Sequence, residues 1–156
     1  VIVGVPTETF PGERRVALIP ETVAALAKKG VQAVIETGAG QAAGFADQAY
    51  QERGATVVHS RGEVFSRAPL VLQVRTLGAN SEKGRADLER LRPGQVLIGL
   101  SEPLTAQAAL RELAAKGITL FALELMPRIT RAQSMDVLSS MATIAGYRAV
   151  LLAAQA

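Results

Sequence analysis

A chain of 156 residues has the length of one domain and can bury an ordinary core without covalent staples. With 49% apolar and 20% charged residues it is neither disordered nor collagen-like, and without cysteine it has no disulfide framework, thiol catalysis or Cys-based metal site. The 17 basic residues nearly balance the 14 acidic ones, are dispersed, and stand with two Tyr and four Phe, a composition that argues against nucleic acid as a partner.

Val1 to Val5, closed by Pro6, reads as a buried strand. Pro20-Glu21-Thr22 opens a helix through Lys29, with Val23, Leu26 and Ala27 on one face and Gly30 as its stop. Gln32 to Glu36 is a second strand, followed by a glycine-rich loop from Gly38 to Gly44. Asp47 is expected to cap a short helix through Arg53, ended by Gly54. Ala55 to His59 reads as a third strand, Glu63 to Arg67 as a helical turn, and Leu70 to Arg75 as a fourth strand. A polar loop from Gly78 to Lys83 precedes a helix over Gly84 to Leu91, and Pro93-Gly94 turns into a strand over Gln95 to Leu100. Pro103 is expected to start a helix through Lys116, stopped by Gly117, and Thr119 to Leu125 is the last strand.

Strands alternating with helices in this way are βαβ units. They predict an α/β fold of Rossmann-like or flavodoxin-like type, a mainly parallel twisted sheet with helices on both faces. Ligands of such sheets gather at the carboxyl ends of the strands. From Met126 to Asp136 the periodicity breaks. A helix of small and apolar residues follows, from Val137 to Ala156, apolar on more than one face and so suited to burial between two bodies. The expected organisation is an α/β lobe over 1–136 and a connecting helix over 137–156. The longest apolar tract, Ala149 to Ala154, is far short of the ~20 residues of a bilayer-crossing helix, so no direct membrane span is expected. The opening Val-Ile-Val carries no signal-peptide pattern, and a soluble chain is expected.

Several residues could carry chemistry. Gly38-Ala39-Gly40-Gln41-Ala42-Ala43 matches G-x-G-x-x-A after a strand, but Gly44 interrupts the helix that a dinucleotide fingerprint requires, and the next strand ends in His59-Ser60 without an acid for a ribose. It reads as a tight turn. Arg14-Arg15, after the first strand, could clamp a carboxylate or phosphate or form a solvated pair. Arg75, at the carboxyl end of the fourth strand, is open between a site and an ion pair. Glu102 reads as a helix-start acid near Pro103, Glu124 is given no catalytic role, and His59 has no partner at metal spacing. The loop from Arg128 to Asp136 is the best candidate: Arg128 could orient a carbonyl or carboxamide, Asp136 could hold Arg128, and Gln133 offers donors and an acceptor without charge. Ser139 lies at the start of a helix, where hydroxyl and N–H groups can meet a polar ligand.

The run Pro127-Arg128-Ile129-Thr130-Arg131-Ala132-Gln133-Ser134-Met135-Asp136, with Leu138-Ser139-Ser140-Met141-Ala142 and Ile144-Ala145-Gly146-Tyr147-Arg148-Ala149, closely resembles the proton-translocating NAD(P) transhydrogenases, in the first, NAD(H)-binding domain of the alpha subunit. Gly4-Val5-Pro6-x-Glu8, Glu13-x-Arg15-Val16-Ala17, Pro20, Glu36-x-Gly38-Ala39-Gly40 and Phe45-x-Asp47 resemble a start shared with alanine dehydrogenases. The resemblance implies a hydride passed between NAD(H) and NADP(H), coupled to proton movement by other domains. It implies catalytic roles for Arg128, Gln133 and Asp136, and NAD(H) contacts from Arg128, Ile129, Thr130, Arg131, Gln133, Ser134, Met135, Asp136, Ser139 and Tyr147. The main glycine fingerprint would then lie outside this chain and NADP(H) on a partner domain. The implied partners are that NADP(H)-binding domain, a membrane domain and a second copy. The implied location is peripheral, on the cytoplasmic side of a bacterial inner membrane. A hydride exchange between two nicotinamides needs no general base, so positioning is most of the task.

Alanine dehydrogenase is the alternative. Its arginine matches Arg15, but its lysine position is occupied by Arg75, and its histidine would fall in Ser101-Glu102-Pro103, where none stands. A third reading is a packing or dimerisation lobe with no ligand of its own.

Overall fold

The computed structural model describes residues 1–155. Among them, six parallel strands form one sheet in the order β3-β2-β1-β4-β5-β6: β1 (Ile2–Val5), β2 (Gln32–Glu36), β3 (Thr56–Val58), β4 (Leu70–Arg75), β5 (Val96–Leu100) and β6 (Thr119–Ala122). The helices are α1 (Pro20–Ala27), α2 (Asp47–Glu52), α3 (Arg61–Arg67), α4 (Arg85–Arg90), α5 (Gln107–Ala115) and α6 (Val137–Gln155). The chain builds outward from β1 to β3, returns through α3 to place β4 on the other side of β1, and builds outward again to β6. Right-handed crossovers then put α1 and α2 on one face and α3, α4 and α5 on the other.

Each strand feeds both faces. Val3, Val5, Ala33 and Ile35 pack with Val23 and Tyr50 on the face of α1 and α2. Val71 and Leu97 pack with Phe65, Leu91, Ala109 and Leu113 on the opposite face, where Val34 and Val58 also meet Val64. Tyr50 is fully buried; its hydroxyl donates to the Leu18 carbonyl at 2.9 Å, and burial pushes its pKa up to about 12. Its ring lies where a Cβ on Gly40 would be, so the glycine-rich turn needs glycine there for close approach.

The two faces are not covered equally. α1 and α2 shield the β1–β3 half of their face, but over β4–β6 that face has no helix of its own. The register aligns Leu72 with Ile98 and Ile98 with Phe121, an apolar row that ends in solvent at Phe121, 56% exposed. The start of α6 lies against the bare part of this row.

Several elements depart from the sequence expectations. Asp47 does not cap α2; Ala46 holds that position, and the Asp47 carboxylate instead accepts from Thr37 Oγ1 at 2.5 Å and Gly38 N at 2.8 Å. The turn after β3 is a full helix, α3, opened by Ser60, which accepts from Glu63 N at 3.2 Å and donates back to the Glu63 carboxylate. Helix α5 starts at Gln107 rather than Pro103, and β6 ends at Ala122, followed by a 3-10 turn over Leu123–Leu125. The loop without period is a 3-10 helix over Thr130–Met135, anchored by buried Ala132. The last helix matches its expectation to Gln155, with Ala156 outside the described residues. α6 is also long and apolar enough, by length and composition, to cross a membrane, which the tract Ala149 to Ala154 alone did not suggest.

Candidate functional site

Where the first turns of α6 meet the uncovered sheet face, a cavity of about 350 Å³ opens. Its floor is Leu72, Gln73, Val74, Ile98 and Leu100 from the carboxyl halves of β4 and β5. One wall is Arg15, Val16 and Ala17 from the long β1–α1 loop; the other is Ser134 to Leu138 with Ser140 and Met141. The lining is mainly apolar, with a few polar groups at the edge, the usual composition of a small-molecule site.

The charged groups of this wall are already engaged. Glu13 accepts from Arg15 Nε at 2.7 Å and Nη2 at 2.6 Å, and from Arg75 Nε at 3.0 Å. The Arg15 hydrogen bonds, outweighing burial, hold the Glu13 carboxyl down at about 2. Arg75 stacks on Phe10, with the guanidinium 4.3 Å from the ring centre. The Asp136 carboxylate accepts from Ser139 Oγ at 2.7 Å, Ser139 N at 3.0 Å and Leu138 N at 3.1 Å. It therefore caps α6, and the Ser139 bonds hold it below the usual carboxylate range.

The crevice between β1 and β4, the topological switch point where parallel α/β sheets commonly bind ligands, is filled by the protein itself. Arg61 reaches into it, bonding Asp87 through Nε at 2.5 Å and Nη2 at 2.6 Å, the Thr7 carbonyl at 2.5 Å and Glu36 at 3.3 Å. Gln73 donates to the same Asp87 at 2.9 Å. Beside it, the Glu8 carboxylate accepts from Val74 N at 2.5 Å and Arg75 N at 3.2 Å, so an internal anion sits on the amides that a ligand anion would use. Burial raises the Glu8 pKa, against the opposing pull of those two amides.

The sequence candidates divide by position. Ser134, Met135 and Asp136 line the cavity, and Ser139 joins it through Asp136. Arg128, Ile129, Thr130, Arg131 and Gln133 belong to the same loop but do not line the cavity and are exposed, and Tyr147 is 71% exposed further along α6. Asp136 makes no hydrogen bond to Arg128 among the described residues, but the Arg128 charge adds to the bonds of the helix cap in holding its carboxyl down. Arg14 and Arg15 do not act as a pair: Arg14 is exposed and Arg15 turns inward. Glu102 does not start a helix. Its N–H and that of Ser101 donate to Glu124 Oε1 at 2.6 and 2.7 Å, and Glu102 adopts a positive φ of 49°. Glu124 is thus a lock on the β5–α5 connection, which no local sequence signal announces. The Gly38–Gly44 segment makes one 3-10 turn, and no helix starts within it.

Fold and cavity together define a Rossmann-like lobe whose cavity lies at the carboxyl edge of its sheet rather than at a glycine fingerprint. The chain belongs to the alanine dehydrogenase/PNT N-terminal domain family, whose model matches residues 4–145. It is 47% identical over 149 residues to the NAD(P) transhydrogenase subunit alpha of Cereibacter sphaeroides, a match covering 96% of this chain and 27% of that protein. It is 31% identical over 146 residues to the alanine dehydrogenase of Mycolicibacterium smegmatis, covering 94% of this chain and 37% of that one. The crystal structure of a transhydrogenase from Sinorhizobium meliloti superposes with a TM-score of 0.90 at 41% identity, over 99% of this chain and 44% of that chain. The chain therefore spans less than half the length of each of these proteins.

Proposed function

We propose that this chain is the NAD(H)-side component of a transhydrogenase that passes a hydride between NAD(H) and NADP(H), coupled to proton translocation by other domains. The observation that carries the reading is the mainly apolar cavity beside the 3-10 loop. Ser134, Met135 and Asp136 line it, while Arg128, Arg131 and Gln133 of the same loop do not and are exposed to solvent. A loop of that form can hold one ring and present hydrogen-bonding groups to a second.

The fit to NAD(H) is partial. The cavity suits the uncharged nicotinamide end, with Ser134 available to a carboxamide and Leu72, Ile98 and Met135 against a ring, while Arg128, Ile129, Thr130 and Arg131 stand exposed in the adjoining loop. The described residues offer no helix N-terminus at the glycine-rich turn for the diphosphate. We assign the diphosphate to another part of the assembled protein. The nicotinamide, when bound, supplies or accepts the hydride. This chain's residues orient it: Asp136 fixes Ser139 and the start of α6, Tyr147 lies along the same helix, and Gln133 faces the second nucleotide. NADP(H) then belongs to a partner domain. Residues 137–156 connect the 1–136 lobe to a further one, and the assembled enzyme, with a membrane domain and a second copy of this subunit, is peripheral on the cytoplasmic side of the membrane. The extent of the solved transhydrogenase match, which includes nearly all of α6, supports reading that helix as part of the family's fold.

An alanine dehydrogenase activity is disfavoured at two positions. Arg75, at the lysine position, is tied to Glu13, and the Ser101-Glu102-Pro103 stretch, where the resemblance would put a histidine, has none; its Ser101 is buried and hydrogen-bonded to Thr76 Oγ1 at 2.8 Å.

The test is Gln133→Asn in the assembled enzyme. Single-turnover hydride transfer slows by at least tenfold while NADH affinity, read by calorimetry, stays within twofold. An unchanged transfer rate removes the assignment. The chain alone binds NADH more weakly than micromolar.

A further inference from the structure

The loop over 126–136 is tied to the sheet by polar contact at a single place. Among the described residues, every hydrogen bond made by residues 126–155 goes to a partner within 123–155. The last polar link between that segment and the rest of the lobe is the Glu124 carboxylate, whose Oε1 accepts from Ser101 N at 2.7 Å and Glu102 N at 2.6 Å, just beyond β5. After it the loop meets the lobe without hydrogen bonds, through buried Ala132 and through Met135 and Leu138 along the cavity. Apolar contacts hold a segment against a surface but are non-directional. Two N–H donors converging on one oxygen fix a direction.

The link is stiff, and it is kept at a cost. Glu124 sits in the 3-10 turn Leu123–Leu125, Met126 N donates back to the Leu123 carbonyl at 3.2 Å, and Pro127 has a fixed φ. A rotation of the turn therefore carries the loop with it, and Leu123 itself lines the cavity. Two unfavourable features meet here: Glu102 holds a φ of 49°, and Glu124 Oε2 is buried without a partner. We propose that Glu124 is a positioning residue: through its turn it sets how Ser134, Met135 and Asp136 stand along the cavity, and so the alignment of a nicotinamide for hydride transfer. The alignment rests on the transhydrogenase reading; the anchoring of the loop does not. A misaligned ring loses transfer rate more than affinity, because transfer needs near-attack geometry while the diphosphate is held elsewhere.

Glu124→Ala and Glu124→Gln, made in the assembled enzyme, test this. Gln keeps a carbonyl oxygen for both amides and replaces only the oxygen that has no partner. Ala slows single-turnover hydride transfer by about tenfold or more with NADH affinity within about twofold, and Gln brings the rate back to within about threefold of wild type. Hydrogen exchange on the same samples rises several-fold in Ala, but not in Gln, at the amides of Ile129, Ala132 and Asp136, while Val5 and Val71 stay protected. Equal losses of rate and affinity in Ala, an unchanged rate, or a Gln no better than Ala overturns the positioning role. Exchange in Ala that is unchanged in the loop, or raised equally in the sheet, overturns the anchoring. A wild-type enzyme that transfers no hydride between the nucleotides removes the transhydrogenase reading, and the exchange comparison still decides whether Glu124 anchors the loop.

Discussion

The β1–β4 crevice and the cavity beside α6 open on the same carboxyl edge of one sheet, yet they are finished in opposite ways. The crevice is packed with paired charges: Arg61 is held by Asp87, Glu36 and the Thr7 carbonyl, and Gln73 completes the Asp87 shell. The cavity is mainly apolar; at its edge Arg15 is paired with Glu13, and Asp136 caps α6. The crevice lies between halves of the sheet that must be joined after the chain reverses direction, and a satisfied ionic network there ties β1, β2, α3, β4 and α4 together. The cavity lies on the half-face that no crossover helix covers, so it stays accessible. In this lobe the topological switch point serves cohesion, and the open cavity lies on the uncovered half.

The largest expected effect tests the cohesive half. The Arg61 and Asp87 side chains are 14% and 6% exposed, so removing one partner leaves an uncompensated charge. Arg61→Ala is expected to cost about 3–5 kcal/mol in urea unfolding, whereas Arg61→Met/Asp87→Leu recovers most of it, because apolar packing can replace a buried pair. A loss below about 1 kcal/mol for Arg61→Ala would mean that the crevice is solvated and behaves like a surface pair. That outcome would break the contrast.

The two carboxylates that separate the regions titrate in opposite senses. Glu13 has a folded pKa of about 2, below its ordinary 4.5, so its stabilisation is complete above pH 4.5 and is lost as pH falls toward 2. Glu8 is raised above 4.5, so the stability it contributes is complete below 4.5 and declines as pH rises through its folded value. Unfolding midpoints measured from pH 3 to 7 should show Glu13→Gln flattening the acid limb and Glu8→Gln flattening the limb above pH 4.5. If neither variant changes the slope on its own side, the assigned environments are wrong.

Much of this architecture is legible in the residues. Gln32–Glu36 and Leu70–Arg75 are apolar runs that fix strand ends to the residue, and Gly30 and Gly117 stop helices by entering the left-handed region at φ 75° and 73°. The Pro127–Asp136 run marks the site loop. What escapes the sequence is tertiary. Pro103 carries a helix-start signal, but Glu124, more than twenty residues away, captures the N–H groups of Ser101 and Glu102 and delays the helix to Gln107. Asp47 has a cap's identity, yet it stands one residue inside α2, and its carboxylate goes to Thr37 and Gly38 instead. Arg61 and Asp87 are separated by 26 residues, and no local rule pairs them. The Ser60–Glu63 capping box was available as a signal and would have located the start of α3. At the candidate site, the sequence identifies the loop but not which of its residues line the cavity, because that depends on how the 3-10 helix packs through Ala132.

The smallest effect is local and tests the cavity side of the comparison. α6 has no buried residue among those described, so its first turn depends on the Asp136 carboxylate rather than on packing. Loss of a cap releases the first amides of a helix without disturbing distant structure. Asp136→Ala should therefore speed hydrogen exchange at the amides of Leu138 and Ser139 several-fold while leaving those of Val5 and Val71 in the sheet unchanged. Ser139→Ala, which removes only the hydroxyl donor at 2.7 Å, should give a smaller change at the same two amides. A uniform loss of protection through the sheet would show that the cavity wall and the ionic crevice unfold as one unit. Confined exchange would instead locate the protein's local opening at the loop that carries its site.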